Sequence, residues 1–119
     1  MPRAHEATIP AAMWVRWLNA FIFTQLVEVP IYVRFIPGEH RAARAFVASL
    51  VTHPIVWFVI PLLELPYYPY AFVAELFAWL TEAVYMHWLG VRRPLLVSLL
   101  ANAASAGLGP ICRELIGWP

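Results

Sequence analysis

Four long apolar blocks, separated by short turns, constrain this chain more than any other feature of its sequence. They run from about residue 12 to 35, 43 to 63, 69 to 89 and 94 to 118. Each is near the ~20 residues that an α-helix needs to cross ~30 Å of hydrocarbon. Because backbone groups in lipid must be paired within the segment, and no two-residue alternation is sustained, we expect the four blocks to be helices.

The composition supports lipid as the solvent of this chain. Hydrophobic residues make up 62% of it and charged residues 13%, with a mean hydropathy of +0.68. A soluble domain is nearer to half apolar and about a quarter charged. A chain of 119 residues could not hide this excess in one small core. We therefore expect a single transmembrane domain over residues 1–119, an all-α integral membrane four-helix bundle with short loops.

Charge, cysteine content and the first block exclude several other classes of protein. A formal net charge of +1 gives no extended basic surface for nucleic acid. The single cysteine, Cys112, excludes an intrachain disulfide and is expected to be a small buried apolar residue. The first block contains Arg16 and Glu28 and has no small-residue cleavage site at its end, so it is interpreted as an uncleaved first span.

The arginines predict an orientation in the membrane. Short turns make consecutive helices antiparallel, so loop one (residues 36–41) and loop three (residues 90–93) share one side, while loop two (residues 64–70) lies on the other. The first side carries five arginines and the opposite side three: Arg34, Arg41, Arg44, Arg92 and Arg93 against Arg3, Arg16 and Arg113. The positive-inside rule then places loops one and three in the cytoplasm and both termini outside a bacterial inner membrane.

Ionisable residues inside the hydrocarbon are costly and usually face a bundle interior. From the rise of 1.5 Å per residue, His53 and Asn102 lie near mid-membrane, with Glu82 roughly 5 Å and Glu28 roughly 7 Å towards the cytoplasm. Each helix thus contributes one strongly polar residue at a similar depth in the membrane. Smaller polar residues accompany them: Asn19, Thr24, Gln25, Thr52, Thr81, Ser98 and Ser105.

This polar set has two interpretations. Two carboxylates and an imidazole cannot all be charged in a dry interior, so a carboxylate holds a proton, a cation or water enters, or the helices leave a wet cavity. Alternatively, the polar residues only bridge the helices by hydrogen bonds. One histidine and two glutamates from separate helices could also ligate zinc or iron, although the sequence identifies neither a metal nor a cofactor.

Arg16 and Glu75 form a second candidate pair. Glu75 precedes Glu82 by seven residues, which places both on one face of the third helix. Glu75 lies on the outer side of the midplane, at a depth compatible with Arg16 on the first helix. An Arg16–Glu75 ion pair across these helices would neutralise both charges.

Four ordered elements of the sequence resemble those of a loosely defined, uncharacterised group of small bacterial multi-pass membrane proteins. The elements are Glu28-Val29-Pro30, Thr52-His53-Pro54, Glu75 with Glu82, and the run of residues 98–105. The resemblance covers most of the chain and implies a multi-pass membrane protein without specifying an activity. In size and helix count the chain is also similar to small multidrug transporters and fluoride channels, an analogy of architecture alone.

The sequence therefore supports two functions. The first is a structural or accessory subunit of a membrane complex, whose Glu/His/Asn core serves helix assembly and whose partners are the bilayer and another subunit or a second copy. The second is an oligomeric transporter or channel that uses Glu28, His53 and Glu82 for a proton or cation. A membrane-embedded enzyme is least favoured, because the sequence has no HExxH, GxSxG or P-loop motif. A cavity that joins these side chains to one face would favour transport, and dry packing would favour assembly.

Overall fold

The computed structural model describes residues 9–119, and Arg3, one of the orientation residues, lies outside the described residues. Within that range the chain forms four α-helices and contains no strand, which confirms the all-α expectation. The helices are α1 (Ala11–Val33), α2 (Arg41–Phe58), α3 (Tyr67–Trp88) and α4 (Pro94–Ile116), and a short 3-10 helix (Ile60–Leu63) follows α2.

Prolines and glycines set the helix boundaries. Pro10 and Pro66 precede the first residues of α1 and α3, and Pro94 is the first residue of α4, a position where a missing N–H costs nothing. Gly38 in loop one and Gly90 after α3 have φ values of +84° and +86°, which a residue without Cβ adopts freely.

The structure differs from the expected boundaries around loop two. The α3 helix begins at Tyr67, so Pro69 lies in its first turn and not in the loop. The second block is not one continuous α-helix, because α2 ends at Phe58 before the 3-10 turn that contains Pro61. Proline cannot donate the helical hydrogen bond, which explains this break.

The four helices form a ring in chain order. Each helix packs against its two neighbours, so that α1 contacts α2 and α4, and α3 contacts the same two helices. Among the described residues, the diagonal pairs α1–α3 and α2–α4 make no backbone contact within 8 Å. The bundle axis is therefore filled by side chains, and their sizes decide where it is closed.

One end of the bundle is closed by an apolar core. This closed end lies beside loops one and three. Ile36 reaches into it from loop one, and Arg44 holds that loop by donating hydrogen bonds to the carbonyl oxygens of Pro37, at 2.6 Å, and of Glu39. The core residues are Tyr32, Ile36, Ala45, Ala48, Met86, Val91, Val97 and Ala101.

Two helical segments are long and apolar enough to cross a membrane. They are Arg41–Leu63, which combines α2 with the 3-10 helix, and Pro94–Ile116, which is α4. In each, only 22% of the most apolar window is buried inside the bundle. The apolar side chains of these segments therefore mostly point outward.

Candidate functional site

Two glutamates meet near the middle of the bundle. Glu28 comes from α1 and Glu82 from α3, the diagonal corners of the ring, and each is only 2% exposed. Their side chains lie close enough to interact with each other. These two groups, called the carboxyl pair below, join two helices whose backbones do not touch.

The Glu82 carboxyl accepts hydrogen bonds from three other helices. The hydroxyl of Tyr32 on α1 donates to Oε1 at 2.6 Å, and the Asn102 amide on α4 donates to the same oxygen at 3.2 Å. The Thr52 hydroxyl on α2 donates to Oε2 at 2.7 Å. Glu82 is therefore the point where all four helices are connected.

The Glu28 carboxyl is held by two serines. Ser49 on α2 donates to Oε1 at 2.8 Å, and Ser105 on α4 donates to Oε2 at 2.5 Å. All four carboxyl oxygens of the pair thus accept at least one hydrogen bond from a neutral donor. Buried polar groups are expected to be satisfied in this way.

No cationic side chain forms an ion pair with the carboxyl pair in the described part of the chain. Across residues 9–119 no arginine or histidine forms an ion pair with a glutamate. Hydroxyl and amide donors stabilise a carboxylate, but they do not neutralise it. Because adjacent negative charges repel strongly in a medium of low dielectric, the pair requires a proton or another cation.

A cavity of about 520 Å³ connects the carboxyl pair to the end of the bundle opposite the closed end. This open end is where α1 and α3 begin and where α4 ends. Deep in the cavity lie both carboxyl groups with Ser49, Thr52 and Asn102, and Arg113 and Glu114 on the last turns of α4 line it at the open end. Small residues on three helices leave the space: Ala20, Ala78, Ala106 and Gly109.

His53 lines this cavity without joining the carboxyl pair. Its Nε2 lies 3.5 Å from the Thr24 hydroxyl, and within the described part of the chain its Nδ1 has no hydrogen-bond partner. Its ring lies among the rings of Trp17, Phe21 and Trp57, with centroid distances of 6.2, 5.6 and 6.1 Å. Consecutive helical residues point about 100° apart, so Thr52 faces Glu82 while His53 faces α1.

Arg16 and Glu75 are not brought together. Both side chains are exposed, and the described residues contain no ion pair between them. The reason is the order of the ring, since α1 and α3 occupy diagonal corners. Glu75 instead lines the cavity that leads to the carboxyl pair.

The sequence predicts Glu28, Glu82 and Asn102 at a similar depth in the membrane, but two of their hydrogen-bond partners, Tyr32 and Ser49, are not among the predicted site residues. Tyr32 follows Glu28 by four residues and Ser49 precedes Thr52 by three, so each shares a helix face with a residue that was singled out. Helical spacing from Glu28 and Thr52 could therefore have identified Tyr32 and Ser49 as site residues.

The site offers oxygen ligands and few of the softer donors that transition metals prefer. Among the residues that the structure describes, no group of three histidine, cysteine or glutamate side chains is placed to hold a metal ion. Cys112 is partly buried on α4. Carboxyl and hydroxyl oxygens suit a proton, an alkali cation or an ammonium group better.

Comparison with family models, with curated proteins and with solved structures gives no match for this chain.

Proposed function

We propose that this chain is a multi-pass membrane protein that binds a cation at the carboxyl pair in exchange for protons, as a step of transport. The observation that carries the proposal is the coincidence of two features. The buried pair Glu28–Glu82 has no cationic partner within residues 9–119, and it lies at the base of a cavity that reaches one end of the bundle. Two accessible carboxyl groups without a cationic partner are suited to the reversible binding of a proton or another cation.

The outer surface supports the membrane part of this proposal. Each helix presents large apolar side chains outward, and contiguous apolar surface on this scale indicates a membrane or another protein. The α-helices are 18 to 23 residues long, near what is needed to cross the hydrocarbon. Examples of exposed apolar residues on the four helices are Leu26, Leu50, Phe72 and Leu100.

The arginines support an orientation for the proposed protein. Arg34, Arg41, Arg44, Arg92 and Arg93 are all at the closed end. By the positive-inside rule this end faces the cytoplasm of a bacterial inner membrane, so the cavity opens outward. Access from one side only is what one state of an alternating-access transporter requires.

Proton release on cation binding tests the proposal. Na⁺, K⁺ or tetramethylammonium is added to the protein in weakly buffered nanodiscs with a pH-sensitive dye. We expect at least one of these cations to release protons from the wild type, and Glu82→Gln and Glu28→Gln to abolish the release. Glu39→Gln in loop one, at the closed end, is the matched control and should release protons as the wild type does. A folded wild type that releases no protons with any of the three cations would overturn the proposal.

A second function, assembly within a membrane complex, has one observation in its favour. The hydrogen bonds to the carboxyl pair come from all four helices, so the pair also fixes their arrangement. Such interhelical bonds contribute about 0.6 to 2 kcal/mol each. Two results together would favour this function over cation binding. Glu82→Gln would unfold the bundle or release it from a partner subunit, and cations would release no protons from the wild type.

A further inference from the structure

A second cavity, of about 370 Å³, lies between α2 and α3. Its lining is mostly apolar, with Val47 and Val51 on α2 and Val84, Tyr85 and Trp88 on α3. We call it the α2–α3 groove. Thr52 and Glu82 line both the groove and the large cavity, so both spaces border one half of the carboxyl pair.

The groove lies on the outside of the bundle. Val51 is 51% exposed, Val84 49% and Trp88 77%, so its walls reach the surface that faces lipid in the proposed membrane protein. It extends along α3 from Glu82 to Trp88, six residues or about 9 Å of helix. A hydrocarbon chain in the bilayer could therefore occupy it with one end at Thr52 and Glu82.

We propose that the cation bound by this protein is an amphipathic amine, with its ammonium group at the carboxyl pair and its hydrocarbon chain in the α2–α3 groove. The inference rests on the proposed cation binding and adds the class of ligand. It explains why an apolar groove and a polar cavity share Glu82, since such a ligand needs both environments.

Charge selects this occupant among the molecules of a membrane. An ammonium group has three N–H donors and no acceptor. Three of the four carboxyl oxygens of the pair accept a single hydroxyl and keep a lone pair free, whereas Oε1 of Glu82 accepts from both Tyr32 and Asn102. An anionic lipid would instead place its phosphate against two carboxyl groups, an unfavourable arrangement of like charges. A neutral chain would fill the groove and leave the carboxyl pair without its cation.

Photolabelling tests the inference directly. An octylammonium probe with a diazirine at the end of its chain is bound to the protein in nanodiscs, and labelled residues are located by mass spectrometry. We expect the label on the groove residues of α2 and α3. Replacing Glu82 by Gln should reduce it at least about tenfold, because one buried charge partner is lost. The uncharged octanol probe with the same diazirine should label lipid-facing residues of all four helices without preference for the groove.

Filling the groove separates the two proposals. Val51→Trp should block labelling by octylammonium and leave proton release by tetramethylammonium unchanged. Val15→Trp is the matched control on α1, where Val15 is 59% exposed and lines neither cavity. If Val51→Trp does not fold, Val84→Phe fills the same groove from α3.

The outcomes are distinguishable. Proton release by tetramethylammonium, with octylammonium labelling spread evenly over the bundle or equal to that of octanol, would overturn the amphipathic ligand and keep the cation site. The amphipathic ligand would also be overturned if Val51→Trp and Val15→Trp reduced octylammonium labelling equally. Absence of proton release with Na⁺, K⁺ and tetramethylammonium would overturn the cation site and the amphipathic ligand that rests on it.

Discussion

The two ends of the same four helices are built differently. At the closed end, Tyr32, Ile36, Met86 and Val97 are at most 4% exposed and fill the bundle axis. At the open end the axis is a cavity of about 520 Å³ whose walls include Ala20, Ala78, Ala106 and Gly109. Both ends contain the same four helices in the same order, so side-chain volume accounts for much of the contrast.

Loop one contributes to this contrast. It folds back so that Ile36 packs into the core, and Arg44 bonds to its carbonyl groups. At the open end, α2 stops at Phe58 and the 3-10 turn that follows leads towards loop two. The carboxyl pair lies where the packed half meets the open half, with the Tyr32 hydroxyl donating to Glu82 from the closed side. A rigid base beneath an accessible pair of charges is what a reversible binding site needs.

The largest expected difference between the ends is in accessibility to water. In a Cys112→Ala background, Ala106→Cys in the cavity and Val97→Cys in the closed end are treated with a membrane-impermeant thiol reagent. Val97 is 4% exposed. A cysteine at this position can react only when the closed end opens locally, which costs a few kcal/mol. We expect Ala106→Cys to react at least about a hundredfold faster. Equal rates would show that the closed end is not closed.

The next largest effect is expected from the packing of the closed end. Met86 is 0% exposed, so Met86→Ala leaves a cavity and should lower the free energy of unfolding by about 2 to 5 kcal/mol. Leu115→Ala is the control, because Leu115 is 78% exposed at the open end of α4. Unfolding is followed by thermal melting in nanodiscs, and similar losses for both variants would contradict the comparison.

Tyr32→Phe tests the junction between the two halves. The substitution keeps the ring in the core and removes the hydroxyl that donates to Glu82 at 2.6 Å. The loss of a donor from a buried carboxyl should cost about 1 to 3 kcal/mol in the free energy of unfolding. Tyr68→Phe is the matched control, since Tyr68 is 82% exposed. A melting temperature unchanged by Tyr32→Phe would mean that this hydrogen bond contributes nothing to the base of the site.

The smallest effect is expected at the wall of the cavity. A Cβ added at Gly109 would lie 3.8 Å from the Phe23 ring, an ordinary van der Waals distance. Gly109→Ala should therefore fit and raise the free energy of unfolding by about 0.5 to 1 kcal/mol through helix propensity. Proton release by cations should persist. Destabilisation by Gly109→Ala would show that the open end is packed more tightly than the cavity implies.

The sequence by itself determined the local structure of this protein. Apolar blocks of helical length, with prolines at their starts and Gly38 and Gly90 in the turns, were sufficient to predict four helices and their approximate limits. Polar residues inside apolar blocks were sufficient to identify Glu28, Glu82 and Asn102. These properties depend on neighbours within a few residues, which explains why they can be read from a single chain.

Only the tertiary structure decided which polar groups meet and which end of the bundle is closed. Ser105 binds Glu28 across 77 positions of sequence, and that contact depends on the rotation and vertical register of α4 against α1. The ring order separated Arg16 from Glu75, and the rotation of α2 directed Thr52 to Glu82 and left His53 on the cavity wall. Helix periodicity determines which residues share one face of a helix, but it does not determine which other helix that face contacts. That contact depends on how side-chain volumes pack between helices that are distant in sequence.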